Sequence, residues 1–461
     1  MLAYVAFATH DYYWDGVLFS LIVERVQSQL LPASELFHPN HLLYMALGYV
    51  ARAAAGSVRA LALFQGINMV VSALTGVLMF VLCKRVAKHD VPALLGWMLF
   101  AFGATWWKFS TDADAYVLAV ALVIVATIFG LRDRPLWIGV AAGHVAAMLI
   151  HELAVFFYVP ALYLLFTKAR SRYVACSTYL FNTALAVVAV YWVCYREAIH
   201  SDSPTLWQWV TSFSPQVRFA HDIRTVVVAN IVSYGKLFAG GKLSLVRQFW
   251  SLPIAVGLAA FAACIAFATI AIIRSRSALA TGQPDRGVTA FCVAWIAPYA
   301  LFLTFFEPAN AFYKLFIWPP LVLLIVSWAA PYLNNPNLTK AAAALIAALV
   351  LWNLSVFMFP HMHDEASPVV AFAKRLQEQV PGNATVYYKD FTPDDWYLAY
   401  FAPGRNWIKL TGDALPETSG PVCVETTAMP ALRGRETRAQ AIVRNWKLVD
   451  AKHHVEMECF E

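Results

Sequence analysis

The sequence has little charge and few polar stretches. Of its 461 residues, 13% are charged and 60% are hydrophobic, a balance that excludes an ordinary soluble protein. The seven cysteines lack the paired spacing of zinc or redox motifs, and neither an internal repeat nor a low-complexity run is present. The N-terminus has no basic stretch followed by a cleavage site of small residues, so it does not resemble a secretory signal. The composition indicates a polytopic membrane protein.

Long apolar stretches are what the sequence does contain. A helix needs about 20 apolar residues to cross a bilayer, and we predict an α-helical membrane domain over residues 1–360 with about eleven transmembrane helices. The first is the stub Met1–Thr9, which is too short to span, and we expect part of this helix to precede Met1. The others are predicted at 58–83, 91–109, 114–131, 135–150, 152–167, 173–195, 250–273, 288–306, 311–333 and 341–360.

Charge alternates between the ends of these stretches. Basic residues cluster at 84–88, 132–134, 168–172 and 274–286, whereas acids and histidines occupy the opposite ends. Because basic loops stay in the cytoplasm, we predict a cell-membrane protein whose first loop (10–57), large loop (196–249) and C-terminal region face outward. The basic residues behind the net charge of +6 lie in short loops that set topology in a lipid bilayer, and they predict no nucleic-acid partner.

Two helices are predicted in the first external loop, and a separate domain follows the membrane domain. Apolar residues recur at helical spacing after Asp15, and 41–55 is apolar but too short to span, so both are expected to lie in the interface. Residues 361–461 predict a small external α/β domain, with helices at 368–379 and 437–446 and strands at 384–388 and 422–425. Cys423 and Cys459 are candidates for a disulfide in this domain, which is predicted to lie outside the cytoplasm.

The acidic residues at outer helix ends are the first candidates for chemistry. Asp15, at the start of a predicted helix and beside aromatic residues, fits a desolvated and fixed general base, although an N-cap role explains its position equally simply. Asp11 is the second candidate, with a solvated loop acid as the alternative. Asp112 and Asp114 suggest either a metal site, a helix cap or a substrate contact. Hard cations usually take more oxygen ligands than two, so we favour Asp114 as a substrate contact without a metal.

Other polar residues lie at the same predicted face. His151 and Glu152 separate two apolar spans, where they either face a cavity or form an outer turn. Lys108 and Lys314 are candidate phosphate partners, with snorkelling to the interface as the alternative. Glu307 lies at a further outer end.

Three of these segments resemble the GT-C glycosyltransferases. Asp15, followed after residues 16–37 by His38-Pro39-Asn40-His41-Leu42, resembles the first loop of the protein O-mannosyltransferases and their bacterial relatives, including aminoarabinose-lipid A transferase. Residues 106–122 (WWKFSTDADAYVLAVAL) are similar to the family's second external loop, and 311–320 to its late span with an aromatic and basic pair. Gly16 departs from the Glu of the mannosyltransferases, and Asn40-His41 replaces Pro-Leu.

The resemblance implies an inverting transfer of a sugar from a polyprenyl-phosphate donor to a hydroxyl of an extracytoplasmic protein, lipid or glycan, without a cofactor. Asp15 or Asp11 would be the base. The donor and its phosphate would be bound by His38, His41, Lys108, Lys314 and Tyr313. Donor or acceptor would be positioned by Asp112, Asp114, His151, Glu152 and Glu307.

Two other functions stay open. A transporter or flippase is disfavoured because the acids lie at outer helix ends and the halves of the chain are not repeated. A noncatalytic subunit of cell-envelope polysaccharide assembly is the other alternative.

Overall fold

The chain divides into two compact units, which are described separately. The structure, a computed structural model, describes residues 1–198, 205–211, 219–220, 222–275, 283–388, 395–410, 421–425, 439–447 and 454–460. The membrane unit contains Met1–Ala8 and Ile22–Pro360, and the C-terminal unit contains Thr9–Leu21 and His361–Glu461. Parts of the predicted external loop 196–249 lie outside the described residues.

Helices make up nearly all of the described membrane unit. Its first part contains α1 (Leu2–Ala6), α2 (Trp14–Gln27, which begins in the C-terminal unit), α3 (Tyr44–Ala55), α4 (Ala60–Ala87), α5 (Asp90–Phe102), α6 (Ala104–Ser110), α7 (Tyr116–Gly130), α8 (Trp137–Ile150) and α9 (Tyr158–Lys168). The later part contains α10 (Arg172–Glu197), α11 (Leu206–Thr211), α12 (Ile223–Phe238), α13 (Leu243–Gln248), α14 (Leu252–Arg274), α15 (Arg286–Phe305), α16 (Trp318–Ala329) and α17 (Pro336–Trp352).

Short non-α helices lie between these elements. The 3₁₀ helices are Ala33–Leu36, Pro39–His41, Glu152–Phe157, Phe312–Phe316 and Tyr332–Asn334. A π-helical segment, Asn353–Met358, follows α17 and leads into α18 (Phe359–His361). The predicted helical membrane fold is confirmed, and five helices of the described chain are long and apolar enough to cross a membrane. Several others are shorter than the predicted spans because they are interrupted.

Gly103 shows why one predicted span is interrupted. The stretch 91–109 forms two helices, α5 and α6, and Gly103 separates them. A Cβ atom added at Gly103 would lie 2.5 Å from the Trp318 ring and 2.8 Å from the Leu237 carbonyl oxygen. The break therefore allows two neighbouring segments to pack directly against the backbone, and it starts a new helix just before the turn that leads to α7.

The C-terminal unit is built on a mixed sheet. It contains α19 (Pro368–Gln379), α20 (Asp395–Phe401) and strands β1 (Thr385–Tyr388), β2 (Asn406–Lys409), β3 (Val422–Glu425), β4 (Ala439–Lys447) and β5 (His454–Phe460). The strand order is β2-β1-β3-β5-β4. β1 runs parallel to β2 and β3, whereas β5 runs antiparallel to β3 and β4. Val386, Leu376 and Leu398 belong to its apolar core.

The sequence predictions for this unit were right for three elements and wrong for one. The helix at 368–379 and the strands near 384–388 and 422–425 are confirmed. The predicted helix at 437–446 is wrong, because Ala439–Lys447 forms strand β4 against β5. Antiparallel pairing with β5, the next strand in the chain, outweighs the weak local helix preference of this alanine- and arginine-containing segment.

Candidate active site

The turn between α6 and α7 is held by a row of polar side chains on α4. Gln65, Asn68 and Ser72 follow one another at the spacing of one helix face. The Gln65 side chain donates a hydrogen bond to the Thr111 carbonyl at 2.8 Å. The Asn68 amide donates to the carbonyls of Asp112 at 2.7 Å and Asp114 at 2.8 Å. Ser72 bonds Ser110 at 2.7 Å. Three polar side chains on the otherwise apolar helix α4 thus fix the turn between α6 and α7.

This turn carries the two predicted aspartates, and both are buried. The Asp112 carboxylate accepts a hydrogen bond from Lys108 and another from the Ala113 N–H at 2.8 Å. Asp114 accepts from the Ala115 N–H at 2.6 Å. Helix α7 has Ala115 as its N-cap without a side-chain bond, so capping does not account for either acid.

Lys108 does not snorkel to the interface. Its side chain is 11% exposed and is paired with Asp112, which neutralises one charge of the Asp-Ala-Asp sequence. Among the described residues, no three His, Cys, Asp or Glu side chains are arranged to hold a metal ion. Asp112 and Asp114 therefore lie in a polar turn in which Lys108 is the charge partner of Asp112.

Two histidine-bearing loops meet beside this turn. The His38 and His151 side chains each accept a hydrogen bond from the backbone N–H two residues later, and each begins a 3₁₀ helix. The His41 and His151 rings are 4.6 Å apart and perpendicular. The Tyr116 ring, at the start of α7, lies 4.3 Å from His151. The structure thus brings together the predicted residues His38, His41 and His151.

These histidines are uncharged at neutral pH. Burial lowers the pKa of His38 to about 4, and burial, followed by repulsion from His151 and His38, lowers the pKa of His41 well below its usual value. Because Nδ1 of His38 and of His151 accepts a backbone hydrogen bond, the proton of each neutral ring belongs on Nε2. Within the described chain, Nε2 of the buried His151 has no hydrogen-bond partner. It is a buried donor without an acceptor.

Lys314 is more deeply placed than the sequence indicated. It lies in the 3₁₀ helix Phe312–Phe316, is fully buried, and donates to the Ser233 hydroxyl and, at 2.7 Å, to the Pro308 carbonyl. Its ammonium also lies 4.8 Å from the centroid of the Tyr234 ring. Snorkelling is therefore excluded for Lys314, and one of its three N–H donors stays available beyond these two hydrogen bonds.

The remaining predicted residues of this face differ in their surroundings. The Tyr313 ring is 5.9 Å from Tyr116, which links the late loop to the histidine cluster. Glu307 adopts a positive φ of 43°, and its side chain accepts a long hydrogen bond of 3.4 Å from Asn310. Glu152 is exposed. Tyr313 therefore lies beside the histidine cluster, whereas Glu152 is exposed.

The two predicted bases belong to the C-terminal unit. Asp15 lies in the first turn of α2, which begins one residue earlier at Trp14, so Asp15 is inside the helix and not its N-cap. Burial raises the pKa of Asp15 to about 6. The Asp11 carboxylate lies 3.4 Å from Nε2 of the buried His361. Asp11 is therefore paired with a histidine, while Asp15 carries the perturbed pKa.

Sequence reasoning missed the residues that hold the site. Gln65, Asn68 and Ser72 were read as part of an apolar span, although their common helix face was a usable signal. Tyr116 lies two positions after Asp114 and was not predicted as a site residue. Ser233 lies in α12, within the stretch predicted as a large external loop, and gave no local signal, because its contact with Lys314 joins residues 81 positions apart.

The Asn68 contacts predict a measurable stability loss. Asn68→Ala leaves the carbonyls of Asp112 and Asp114 without this donor, and a buried unsatisfied group costs about 1–3 kcal/mol. We expect a lower unfolding temperature for the purified protein in detergent. Asn182→Ala is the matched control, because this exposed amide bonds only a carbonyl of its own helix. Equal unfolding temperatures for the two variants would contradict the role of Asn68.

Known structures share the fold across the whole chain. No family model and no curated protein sequence matches it. Two crystal structures of ArnT from Cupriavidus metallidurans are similar, each over 99% of this chain and 96% of that chain at 10% identity. The one bound to undecaprenyl phosphate has a TM-score of 0.58, and the apo structure has 0.60. The chain is a multi-pass membrane protein with the fold of these two ArnT structures.

Proposed function

We propose that the protein is a membrane glycosyltransferase that moves a sugar from a polyprenyl phosphate to an acceptor hydroxyl outside the cytoplasm. The observation that carries the proposal is the likeness to ArnT over 99% of the chain, because that protein binds undecaprenyl phosphate. The polar candidate residues lie in turns and short helices between apolar helices. A lipid-linked donor suits this arrangement, since the isoprenoid chain can stay in the bilayer while its headgroup reacts.

Asp15 is the proposed general base. Its carboxylate would accept the proton of the acceptor hydroxyl while that oxygen attacks the anomeric carbon, and the bond from this carbon to the phosphate oxygen would break. The attack from the opposite side inverts the anomeric configuration. A pKa of about 6 supports this role, because the group is ionised at neutral pH and still more basic than an ordinary aspartate. Asp11, paired with His361, is the second candidate.

The leaving phosphate is proposed to be stabilised by hydrogen-bond donors of the histidine and lysine loops. His151 Nε2–H is buried and has no acceptor in the described chain, and Lys314 retains a donor. Neutral imidazole and ammonium groups can stabilise the charge that develops on the phosphate. His38, His41, Lys108 and Tyr313 belong to the same proposed donor site. Asp112, Asp114, Glu152 and Glu307 are proposed to position donor or acceptor.

The proposed reaction uses no metal ion. Lys108 is the charge partner of Asp112, and charge on the phosphate is assigned to N–H donors. We expect turnover to persist in excess EDTA. Loss of turnover in EDTA that is restored by one divalent cation would contradict this part of the proposal.

The C-terminal unit is proposed to lie outside the cytoplasm. Cys423 is disulfide-bonded, and its register partner on β5 is Cys459. Disulfides persist mainly in oxidising compartments, which supports the orientation predicted from the basic loops. A reporter enzyme that works only outside the cytoplasm should be active when it is fused near residue 400, and a reporter that works only inside the cytoplasm should be inactive there. The reverse pair of results would overturn the orientation.

Asp15→Asn is the direct test of the base. We expect turnover to fall by about 10² to 10⁴, because the amide has nearly the same shape and cannot take the proton. In the wild type, a raised pKa means that Asp15 becomes protonated and inactive as the pH falls below about 6. Turnover should therefore rise between pH 5 and 7 and then level off, whereas an ordinary aspartate would keep it level down to about pH 4.

Asp133→Asn is the matched control, because this acid is fully exposed. It should keep wild-type turnover. If Asp15→Asn also stays within a few-fold of the wild type, Asp15 is not the base and Asp11 becomes the residue to test.

Lys314→Ala tests the donor site. We expect the KM for the polyprenyl-phosphate sugar to rise about tenfold or more, the effect of losing one charge-assisted hydrogen bond. Lys314→Arg should retain part of the affinity, because it keeps the charge with another geometry. The exposed Lys340, as Lys340→Ala, is the control. Unchanged saturation and turnover in Lys314→Ala would remove Lys314 from the site.

A further inference from the structure

The segment that carries Asp11 and Asp15 is structurally part of the C-terminal unit. Thr9–Leu21 clusters with His361–Glu461, although most of the chain separates them in sequence. The contacts involve residues 10–12, immediately before α2, and they are of two kinds: a charged network and an aromatic contact.

The charged network joins residues 10 and 11 to the start of the C-terminal unit. His10 Nδ1 lies 2.5 Å from one carboxylate oxygen of Asp364, and Lys374 lies 2.6 Å from the other. The backbone N–H of His10 donates to the His361 carbonyl at 2.7 Å. Asp11 lies 3.4 Å from Nε2 of His361. His10 and Asp11 are thus held by His361 and Asp364, which lie three positions apart in the chain.

The aromatic contact fixes the next residue. The Tyr12 ring stacks on Phe401 at 5.7 Å, with 23° between the planes. The Tyr397 hydroxyl donates to the Tyr12 carbonyl at 3.0 Å. Tyr397 is buried, and Phe401 packs against the apolar core of the C-terminal unit. The position of Tyr12 therefore depends on α20, which that core supports.

We propose that residues 361–461 position the catalytic segment Thr9–Leu21, with Asp364, His361 and Tyr397 as positioning residues for Asp15. The inference rests on the proposed function. Only Tyr13 and Trp14 separate Tyr12 from Asp15, and Asp15 is in the first turn of a helix, so fixing residues 10–12 fixes where α2 starts and how its first turn is oriented. A displacement of about 1 Å at a catalytic group can cost about 10²-fold in rate. Residues 361–461 are thus required for turnover without themselves contacting the reacting atoms.

The test is the double variant Asp364→Ala/Tyr397→Phe in the full-length protein. It removes the central carboxylate and one hydroxyl, and it keeps the Tyr397 ring that packs in the unit. We expect kcat to fall about tenfold or more while the KM for the donor stays unchanged, because positioning of the base is lost and donor contacts are not. The single variant Asp364→Glu keeps a carboxylate and the wild-type Tyr397, so its kcat should be close to that of the wild type.

A matched control separates positioning from general stability. Arg405 braces the same unit through hydrogen bonds to the Val380 carbonyl and to Gln377, and within the described residues its hydrogen bonds do not reach residues 10–12. Arg405→Gln should therefore lower the unfolding temperature without the selective loss of kcat. If Arg405→Gln and the double variant lower kcat equally, the proposed positioning role is wrong.

A second readout does not depend on catalysis. Hydrogen exchange followed by mass spectrometry should show amides of residues 9–21 exchanging about tenfold or more faster in the double variant, while those of β1 and β3 are unchanged. Unchanged exchange at 9–21 would overturn the inference. If the wild-type protein transfers no sugar at all, the proposed function fails, and the exchange result alone decides whether the C-terminal unit holds this segment.

Discussion

The side-chain amide of Asn68 is the contact on which the membrane site depends most. An unpaired backbone carbonyl is costly where water is excluded, and the turn at 111–115 exposes several carbonyls between two apolar helices. Asn68 satisfies two of them at once. The turn then presents Asp112 and Asp114 in a fixed orientation, and it places Tyr116 at the start of α7 against His151. The order of the site follows from one polar row on an otherwise apolar helix.

Burial gives the site its chemical character. The same loss of water that lowers the pKa of His38 raises the pKa of Asp15, because in both cases the charged form is disfavoured. Uncharged histidines can donate hydrogen bonds to a phosphate without the desolvation cost of a buried cation. A carboxylate with a raised pKa is a stronger base at neutral pH. The proposed division of labour between Asp15 and the histidines is therefore one that burial alone produces.

The sequence predicted features that repeat locally, and it failed where pairing with another segment of the chain decides. Apolar runs gave the helices, and outer-end polar residues gave His41, His151 and Asp114, which the structure places in one region of the membrane unit. The helix at 437–446 was wrong because a strand partner is invisible to local preference. The burial of Lys314 depends on Ser233, and the grouping of Tyr12 with Phe401 depends on the C-terminal fold. Neither pair has a signal in the spacing of the chain.

Breakage of the bond between sugar and phosphate distinguishes a glycosyltransferase from a flippase most directly. The purified protein in proteoliposomes, supplied with polyprenyl-phosphate sugars and an extract of envelope acceptors, can be followed by mass spectrometry of the lipids. The proposed function predicts free polyprenyl phosphate together with a sugar-bearing acceptor, neither of which forms with Asp15→Asn. Movement of the intact lipid-linked sugar between leaflets without any free polyprenyl phosphate would contradict it.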